Sequence, residues 1–249
     1  MEQNTIYRYY SFGFNYCLLK TYALAGRTRV KAIEDLTHFF EALDSFDLQV
    51  TKRVAIDLVV ILNELEDSDE EGMPPALVTR IQKAVAKLDP ALDAELQLRI
   101  AYILTKKRHS LPSLTAQPEE LLGKATWESL TPTSKRDFTS ACMQIALNQP
   151  TGAAFHLMRT LEEQVKVLYF AFKKTKRMEK PMWGPMTTEL RKKNKPKPSD
   201  KLLSHLDGMR IHFRNPTQHP TAFYALNEAE DLLSATIVAI GMICAELPA

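Results

Sequence analysis

One short stretch combines residue types that could act on a phosphate group: RNPTQHP, at positions 214–220. The imidazole of a histidine takes up or releases a proton near neutral pH, and the guanidinium of an arginine forks onto phosphate oxygens while staying charged. His219 and Arg214 together therefore suit cleavage of a phosphodiester. In RNA the 2′-hydroxyl supplies the nucleophile, so a base, a cation for the developing charge and an acid for the leaving oxygen suffice without a metal.

Two prolines are expected to stiffen this stretch into a turn between helices. Pro216 and Pro220 each fix their own φ and disfavour the helical region for the residue before them. The pattern predicts that a helix over 202–213 stops before Pro216, and that Asn215 and His219 are extended or turned, with Asn215 placed to position the phosphate or the imidazole. In the alternative interpretation, the arginine pairs with a helix end and the histidine is an ordinary surface residue of a turn.

The composition is that of an ordinary globular protein. The 249 residues are 45% hydrophobic and 25% charged, with 8 Gly and 14 Pro, which excludes collagen-like, low-complexity and wholly disordered chains. Lys and Arg number 32 against 30 Asp and Glu, so the net charge of +2 does not by itself favour a polyanion. A nucleic-acid partner would therefore have to bind a local basic patch.

The strongest local patch is the segment Lys173–Lys201, which has eleven Lys or Arg against three acids. Its densest cluster is predicted to hold an RNA backbone through release of counterions, and Trp183 is available for stacking on a base. The alternative is a solvated basic loop. The RNA-backbone candidates are Arg191, Lys192, Lys193, Lys195 and Lys197.

The sequence favours neither a metal site nor a cofactor site. It contains no glycine-rich phosphate loop, no H-E-x-x-H and no G-x-S-x-G motif, and its three cysteines, Cys17, Cys142 and Cys244, are far apart. It also contains no run of 18 apolar residues, and its N-terminus does not read as a signal peptide. We therefore expect a protein without a metal or cofactor, not bound to a membrane, in the reducing cytoplasm.

Apolar residues recur at helical spacing along the whole chain, which predicts an all-α fold. A Pro- and Ser/Thr-rich stretch over 106–132 is interpreted as a domain boundary, between a helical module of unknown role at 1–115 and a second domain at 116–249. The predicted helices are two within Lys31–Glu66, then Pro75–Leu88, Ala91–Leu104, Ser134–Leu147, Ala153 to about Lys176, and a long last helix ending near Pro248.

The part of the chain from Lys135 onward resembles the HEPN superfamily of helical domains, many of which are metal-independent ribonucleases. The hallmark of that family is an arginine, usually followed by a polar residue, and then a histidine, with four to six residues between the arginine and the histidine. Arg214, Asn215 and His219 match these three elements, with four residues between the arginine and the histidine. The stretch FHLMRTLE at 155–162, preceded by Asp137-Phe138, is also similar to the first long helix of bacterial members.

The resemblance implies a bundle of four or five helices that forms a homodimer, with both copies of the turn facing one RNA cleft. Two histidines related by a two-fold axis could then divide the roles of base and acid. The implied activity is endoribonuclease cleavage that leaves a 2′,3′-cyclic phosphate, in a toxin or antiviral defence system with a cognate inhibitor or sensor protein as a further partner. The alternatives are a non-catalytic HEPN-like module that binds RNA, a nucleotide or a protein, and a purely structural helical scaffold.

Several residues near the motif are supporting candidates. Arg159 and Glu162 are three residues apart on one helix and could form a local ion pair. In the other interpretation, Glu162 faces the turn and orients Arg214. His156 is either a surface histidine or part of the cleft. Two further histidines, His205 and His212, are expected to be solvated.

Overall fold

The computed structural model describes residues 5–21, 26–68, 71–100, 102–175 and 178–248. Over these residues the regular structure is helical and contains no β-strand, which confirms the all-α class. The contacts within the chain divide it into two compact units, Met1–Tyr102 and Ile103–Ala249. Across the described residues, none of the helices has both the length and the apolar character required to cross a membrane.

The described residues of the first unit form five helices around a core of their own. Phe39 and Leu36 lie at its centre, with Phe12 of the first helix stacked on Phe39. Where the sequence predicted two helices over 31–66, the structure has three. The helices are α1 (Ile6–Lys20), α2 (Arg29–Ser45), α3 (Gln49–Val54), α4 (Ile56–Glu66) and α5 (Pro75–Gln97).

Helix α5 corrects the prediction of two helices separated at Pro90, because it continues through that proline. A proline inside a helix costs about 3 kcal/mol, since it removes a hydrogen bond and its ring crowds the preceding turn. Leu88 and Leu92 lie on either side of Pro90, four residues apart, and both are buried in the core of the first unit. Their burial in one continuous helix offsets the local cost. The predicted end at Leu104 is also wrong, because α5 stops at Gln97.

The second unit is a helical bundle in which α8, α9 and α13 form the largest contacts. Phe138 of α8, Leu161 of α9 and Ile240 of α13 are fully buried in one core. The elements are α6 (Leu111–Thr115), a 3₁₀ turn (Pro118–Leu121), α7 (Lys124–Ser129), α8 (Pro132–Ala146), α9 (Pro150–Phe172), α10 (Trp183–Lys192), α11 (Asp200–Met209), a π-helical turn (Arg210–Arg214), α12 (Asn215–Thr217) and α13 (Leu226–Glu246).

Helix α6 belongs to the second unit, although the predicted boundary at 115 assigned it to the N-terminal module. Its Leu114 is 1% exposed and is part of the second core. The Pro-rich composition of this stretch is typical of a linker, yet one leucine anchors it against α8. Helix α9 was predicted to reach about Lys176, a position outside the described residues, and it ends at Phe172.

We expect the cysteine thiols of the native protein to differ in reactivity. Cys142 is buried in the second core, and this burial raises the pKa of its thiol to about 12, whereas Cys17 is exposed on α1. Only the thiolate reacts with an alkylating agent, so at pH 8 Cys142 should resist iodoacetamide while Cys17 is labelled. Peptide mass spectrometry of native and urea-unfolded protein measures both rates. Equal labelling of both residues in the native protein would contradict the packing of α8.

Candidate active site

The two prolines predicted that the helix over 202–213 stops before Pro216. Instead, the helix that begins as α11 continues through the first part of the motif to Thr217. Arg214 (φ −60°, ψ −48°) and Asn215 (φ −64°, ψ −49°) are both helical. The reason is the π-helical turn, in which the Asn215 N–H donates to the carbonyl of Arg210, five residues back. This wider turn lets Pro216 enter the helix without the usual crowding of the preceding turn, since a π-type hydrogen bond spaces that turn more openly.

The stretch after this helix is closed into a compact loop by three side chains. The Thr217 hydroxyl donates to the Phe213 carbonyl at 2.6 Å and lies 2.7 Å from the Tyr224 hydroxyl. The backbone N–H of Tyr224 donates to Thr151 Oγ1 at 3.1 Å, which ties the end of the loop to the first turn of α9. The loop is therefore held by tertiary contacts as well as by its prolines.

Glu162 of α9 contacts Arg214, as one of the two interpretations of this residue predicted. The distances from Arg214 Nη2 to the two Glu162 carboxylate oxygens are both 3.3 Å, and Nε lies 3.4 Å from Oε2. The side chains are 29% and 22% exposed. The carboxylate occupies one edge of the guanidinium, and Nη1 has no partner among the described residues. A phosphate oxygen could bind on that free side.

Arg159 does not form the local ion pair with Glu162 that helical spacing suggested. Its Nε donates to Asp137 Oδ2 at 3.2 Å, and His156 Nδ1 lies 2.9 Å from Oδ1 of the same carboxylate. Asp137 is almost fully buried on α8, so this one acid joins two side chains of α9. The Arg159 guanidinium also lies 5.6 Å from the centre of the Phe155 ring. Along α9, His156, Arg159 and Glu162 thus form one polar stripe.

His219 is exposed, and its side chain has no hydrogen-bond partner within the described part of the chain. Its backbone is fixed, because its N–H donates to the Pro216 carbonyl at 2.8 Å and its own carbonyl accepts from Ala222 N–H at 3.1 Å. Asn215 is exposed as well, on the short helix α12. The structure therefore leaves the imidazole available to a ligand while restricting the backbone that carries it.

The basic cluster is partly occupied by contacts within the protein. Arg191 Nη2 donates to Asp207 at 2.8 Å, Lys193 Nζ donates to the Pro196 carbonyl at 2.9 Å, and Lys197 Nζ is 3.3 Å from Asp200. Lys192 and Lys195 are exposed and have no side-chain partner among the described residues. These two lysines are the members of the cluster most open to an RNA backbone. Lys176 and Arg177 of the wider basic segment lie outside the described residues.

Trp183 does not lie where it could stack on a base, which corrects that prediction. It begins α10 and is 1% exposed, packed in the core of the second unit. His205 also differs from its prediction, since it is half-buried and its Nε2 is buried without a hydrogen-bond partner in the part of the chain that the structure describes. His212 is exposed, as expected. Hydrophobic type and local spacing do not say which face of a helix another helix covers.

Asp137 and Phe155 had no predicted role, and both were named only within the stretches that resemble the HEPN superfamily. Asp137 lies 19 positions before His156 on a different helix, so no local spacing links the two. A signal did exist, because Asp137 stands directly before buried Phe138 on the apolar face of α8. A buried acid requires a partner, since an unpaired charge in a core is very costly.

Within the described residues, His, Cys, Asp and Glu side chains do not form any group of three or more that could hold a metal ion. No protein-family model, curated protein or solved structure matches this chain.

Proposed function

We propose that the second unit is a metal-independent endoribonuclease of HEPN type that cleaves RNA through attack of the 2′-hydroxyl. The observation that carries the proposal is the contact between Glu162 and Arg214, which fixes one edge of a guanidinium and leaves its other side free. Five residues later, His219 is exposed and unbonded at its side chain. The arginine binds the phosphate and stabilises its developing charge, and the histidine transfers a proton.

The proposal includes a homodimer formed by the face that carries the motif. Ile211 and Phe223, on either side of His219 in the chain, are 51% and 84% exposed. Contiguous exposed apolar patches mark protein–protein interfaces, and these two side chains flank the motif in the chain. A second copy of this chain would cover them and bring two turns to one RNA molecule. Sedimentation equilibrium of the protein, compared with a Phe223→Ser variant, measures this association.

The test is incubation of purified full-length protein with mixed RNA in EDTA. Cleavage that leaves 2′,3′-cyclic phosphate ends supports the proposal, since that product reports attack by the 2′-hydroxyl. RNA binding without cleavage would instead favour a non-catalytic binding module. A protein that neither cleaves nor binds RNA would favour a structural scaffold. Expression of the protein is tested for growth arrest in the same way. Growth arrest that His219→Ala and Arg214→Ala abolish would extend the proposal to a toxin or defence role.

Glu162→Gln is expected to lower kcat about tenfold and to leave KM nearly unchanged. The amide keeps the size of the side chain but loses the charge that orients the Arg214 guanidinium, and small displacements of a positioned group have large rate effects. The matched control is Glu163→Gln, because the neighbouring Glu163 pairs with Lys166 at 3.3 Å and not with the turn. Equal rate losses in both variants would contradict a positioning role for Glu162.

Exchanging Lys192 and Lys195 together for Glu is expected to weaken RNA binding and flatten its salt dependence. For single-stranded RNA, each lost phosphate contact reduces the slope of log K against log salt by about 0.7. The control is the same change of charge on the first unit, Arg53→Glu with Lys83→Glu, at two exposed positions. Fluorescence anisotropy at several salt concentrations gives both slopes. Indistinguishable slopes would assign the cluster to a solvated loop.

A further inference from the structure

We propose that His156 is a second proton-transferring imidazole of this same site, oriented by Asp137, and that Arg159 beside it is a second phosphate-binding cation. The inference rests on the proposed ribonuclease function and extends it. It gives each chain its own pair of histidines, His156 and His219, where the family resemblance implies a pair made of one His219 from each of two copies.

Asp137 fixes the orientation of the His156 ring. Asp137 Oδ1 lies 2.9 Å from His156 Nδ1, and a carboxylate accepts, so Nδ1 carries the proton and Nε2 holds the free lone pair. The His156 side chain is 25% exposed, and Nε2 is neither bonded within the described residues nor buried without a partner. The free nitrogen is therefore open to solvent. An acid behind one ring nitrogen with the other exposed is the arrangement that supports proton transfer.

The segment that carries the motif is tied to α9 at two points. Arg214 is held at Glu162, and Tyr224 is held at Thr151, eleven residues earlier on the same helix. At about 1.5 Å per residue these two anchors are roughly 16 Å apart along the axis. His219 is midway in the chain between Arg214 and Tyr224. The segment that carries it must therefore pass the level of α9 that bears His156 and Arg159.

One carboxylate orders both the His156 imidazole and the Arg159 guanidinium. Asp137 is 3% exposed at its side chain, and its two oxygens are used separately, Oδ1 by His156 and Oδ2 by Arg159. Asp137 contacts the imidazole directly, and Arg159 is the other charged group that the described contacts place on the same carboxylate. Arg159 is 44% exposed, so its remaining N–H groups can reach a phosphate in solvent. The Phe155 ring beneath it restricts its motion.

The chemical step balances with these groups alone. Neutral His156 takes the proton of the 2′-hydroxyl, the 2′-oxygen forms its bond to phosphorus, and the bond from phosphorus to the 5′-oxygen breaks. Protonated His219 gives its proton to that leaving 5′-oxygen. The products are a 2′,3′-cyclic phosphate and a 5′-hydroxyl, and exchange of one proton with water restores both imidazoles. Asp137 stabilises the imidazolium that forms at His156, as a buried carboxylate does behind a general base.

The pH profile of cleavage separates a proton-transferring role from a structural one. His156→Gln and His156→Ala are expected to lower kcat by about 10²–10⁴-fold and to remove the acidic limb of a bell-shaped profile, because the general base would be missing. The control is His212→Ala, an exposed histidine outside the site. Thermal melting of each variant identifies any that fail to fold.

The outcomes distinguish this inference from the function on which it rests. If the unaltered chain does not cleave RNA, both fail. If it cleaves, and His219→Ala does not, while a folded His156→Gln keeps the bell-shaped profile, the inference is overturned and the proposed function stands. Should both His156 variants misfold, ¹⁵N imidazole spectra of the unaltered protein with a 2′-O-methyl RNA oligonucleotide decide: saturating probe must shift His156 Nε2, and an unchanged resonance refutes the proposal.

Discussion

His219→Ala is expected to reduce RNA cleavage in EDTA by about 10²–10⁴-fold, the contribution typical of a positioned proton-transfer group. The loss should fall on kcat, because the exposed imidazole makes no hydrogen bond or ion pair within the described residues, so its removal should not disturb the fold. The melting temperature should therefore remain that of the unaltered protein. Added imidazole is expected to restore part of the rate. Quenched-flow or gel assays on a defined oligonucleotide measure kcat and KM.

Arg214→Ala tests the other half of the motif in the same assay. Removing a cation that stabilises developing charge is expected to cost about 10²–10³-fold in kcat. This variant also leaves Glu162 without its partner. A smaller loss of kcat in Arg214→Lys would show that the positive charge contributes to the rate even without the planar guanidinium. The control for both substitutions is His212→Ala, on the π-helical turn just before the motif. Undiminished cleavage by His219→Ala and Arg214→Ala together would end the ribonuclease proposal.

Trp183→Ala is expected to reduce the free energy of unfolding by about 3–5 kcal/mol, as for other large aromatic side chains removed from a core. Trp183 is among the largest fully buried side chains in the chain and packs in the core of the second unit. Urea unfolding followed by circular dichroism measures the change. If the ring stacked on RNA bases from the surface instead, the variant would lose affinity for RNA and keep its stability.

Two further substitutions sharpen this test. Trp183→Phe keeps a buried ring and removes an indole N–H that has no hydrogen-bond partner among the described residues, so its cost should be much smaller than that of alanine. Phe155→Ala removes an aromatic ring on α9 that is 38% exposed, so it takes less buried apolar area from the fold than Trp183→Ala does. Its unfolding free energy should therefore fall by less than that of Trp183→Ala. Equal destabilisation by Phe155→Ala and Trp183→Ala would contradict the burial that separates the two residues.

The site shows how far a linear pattern can locate chemistry. Arg214 and His219 were identified from their types and separation, because both lie in one short stretch and their spacing is a local property. The path of the backbone between them was not predicted correctly. The conformational limits of proline predicted that the helix stops before Pro216, whereas the observed helix continues through that residue. That outcome depends on a π-helical hydrogen bond, which residue preferences alone do not encode.

Asp137 and Trp183 show why the rest could not be predicted. The partner of Asp137 is 19 positions away on another helix, and pairing across two helices depends on their register. The exposure of Trp183 depends on which face of α10 is covered, and an aromatic residue suits a core as well as a binding surface. The partner of Asp137 and the exposure of Trp183 both depend on how two helices pack against each other. The periodicity of apolar residues within one helix does not determine that packing.

The sequence by itself determined that this chain is helical, because apolar spacing is a local property that each helix satisfies alone, and it located the motif at 214–220. Only the tertiary structure decided which groups meet: Glu162 at Arg214, and Asp137 at His156 and Arg159. The physical reason is that hydrogen bonds act over about 3 Å. Such contacts arise from the packing of α8, α9 and the motif against one another, which no single segment specifies.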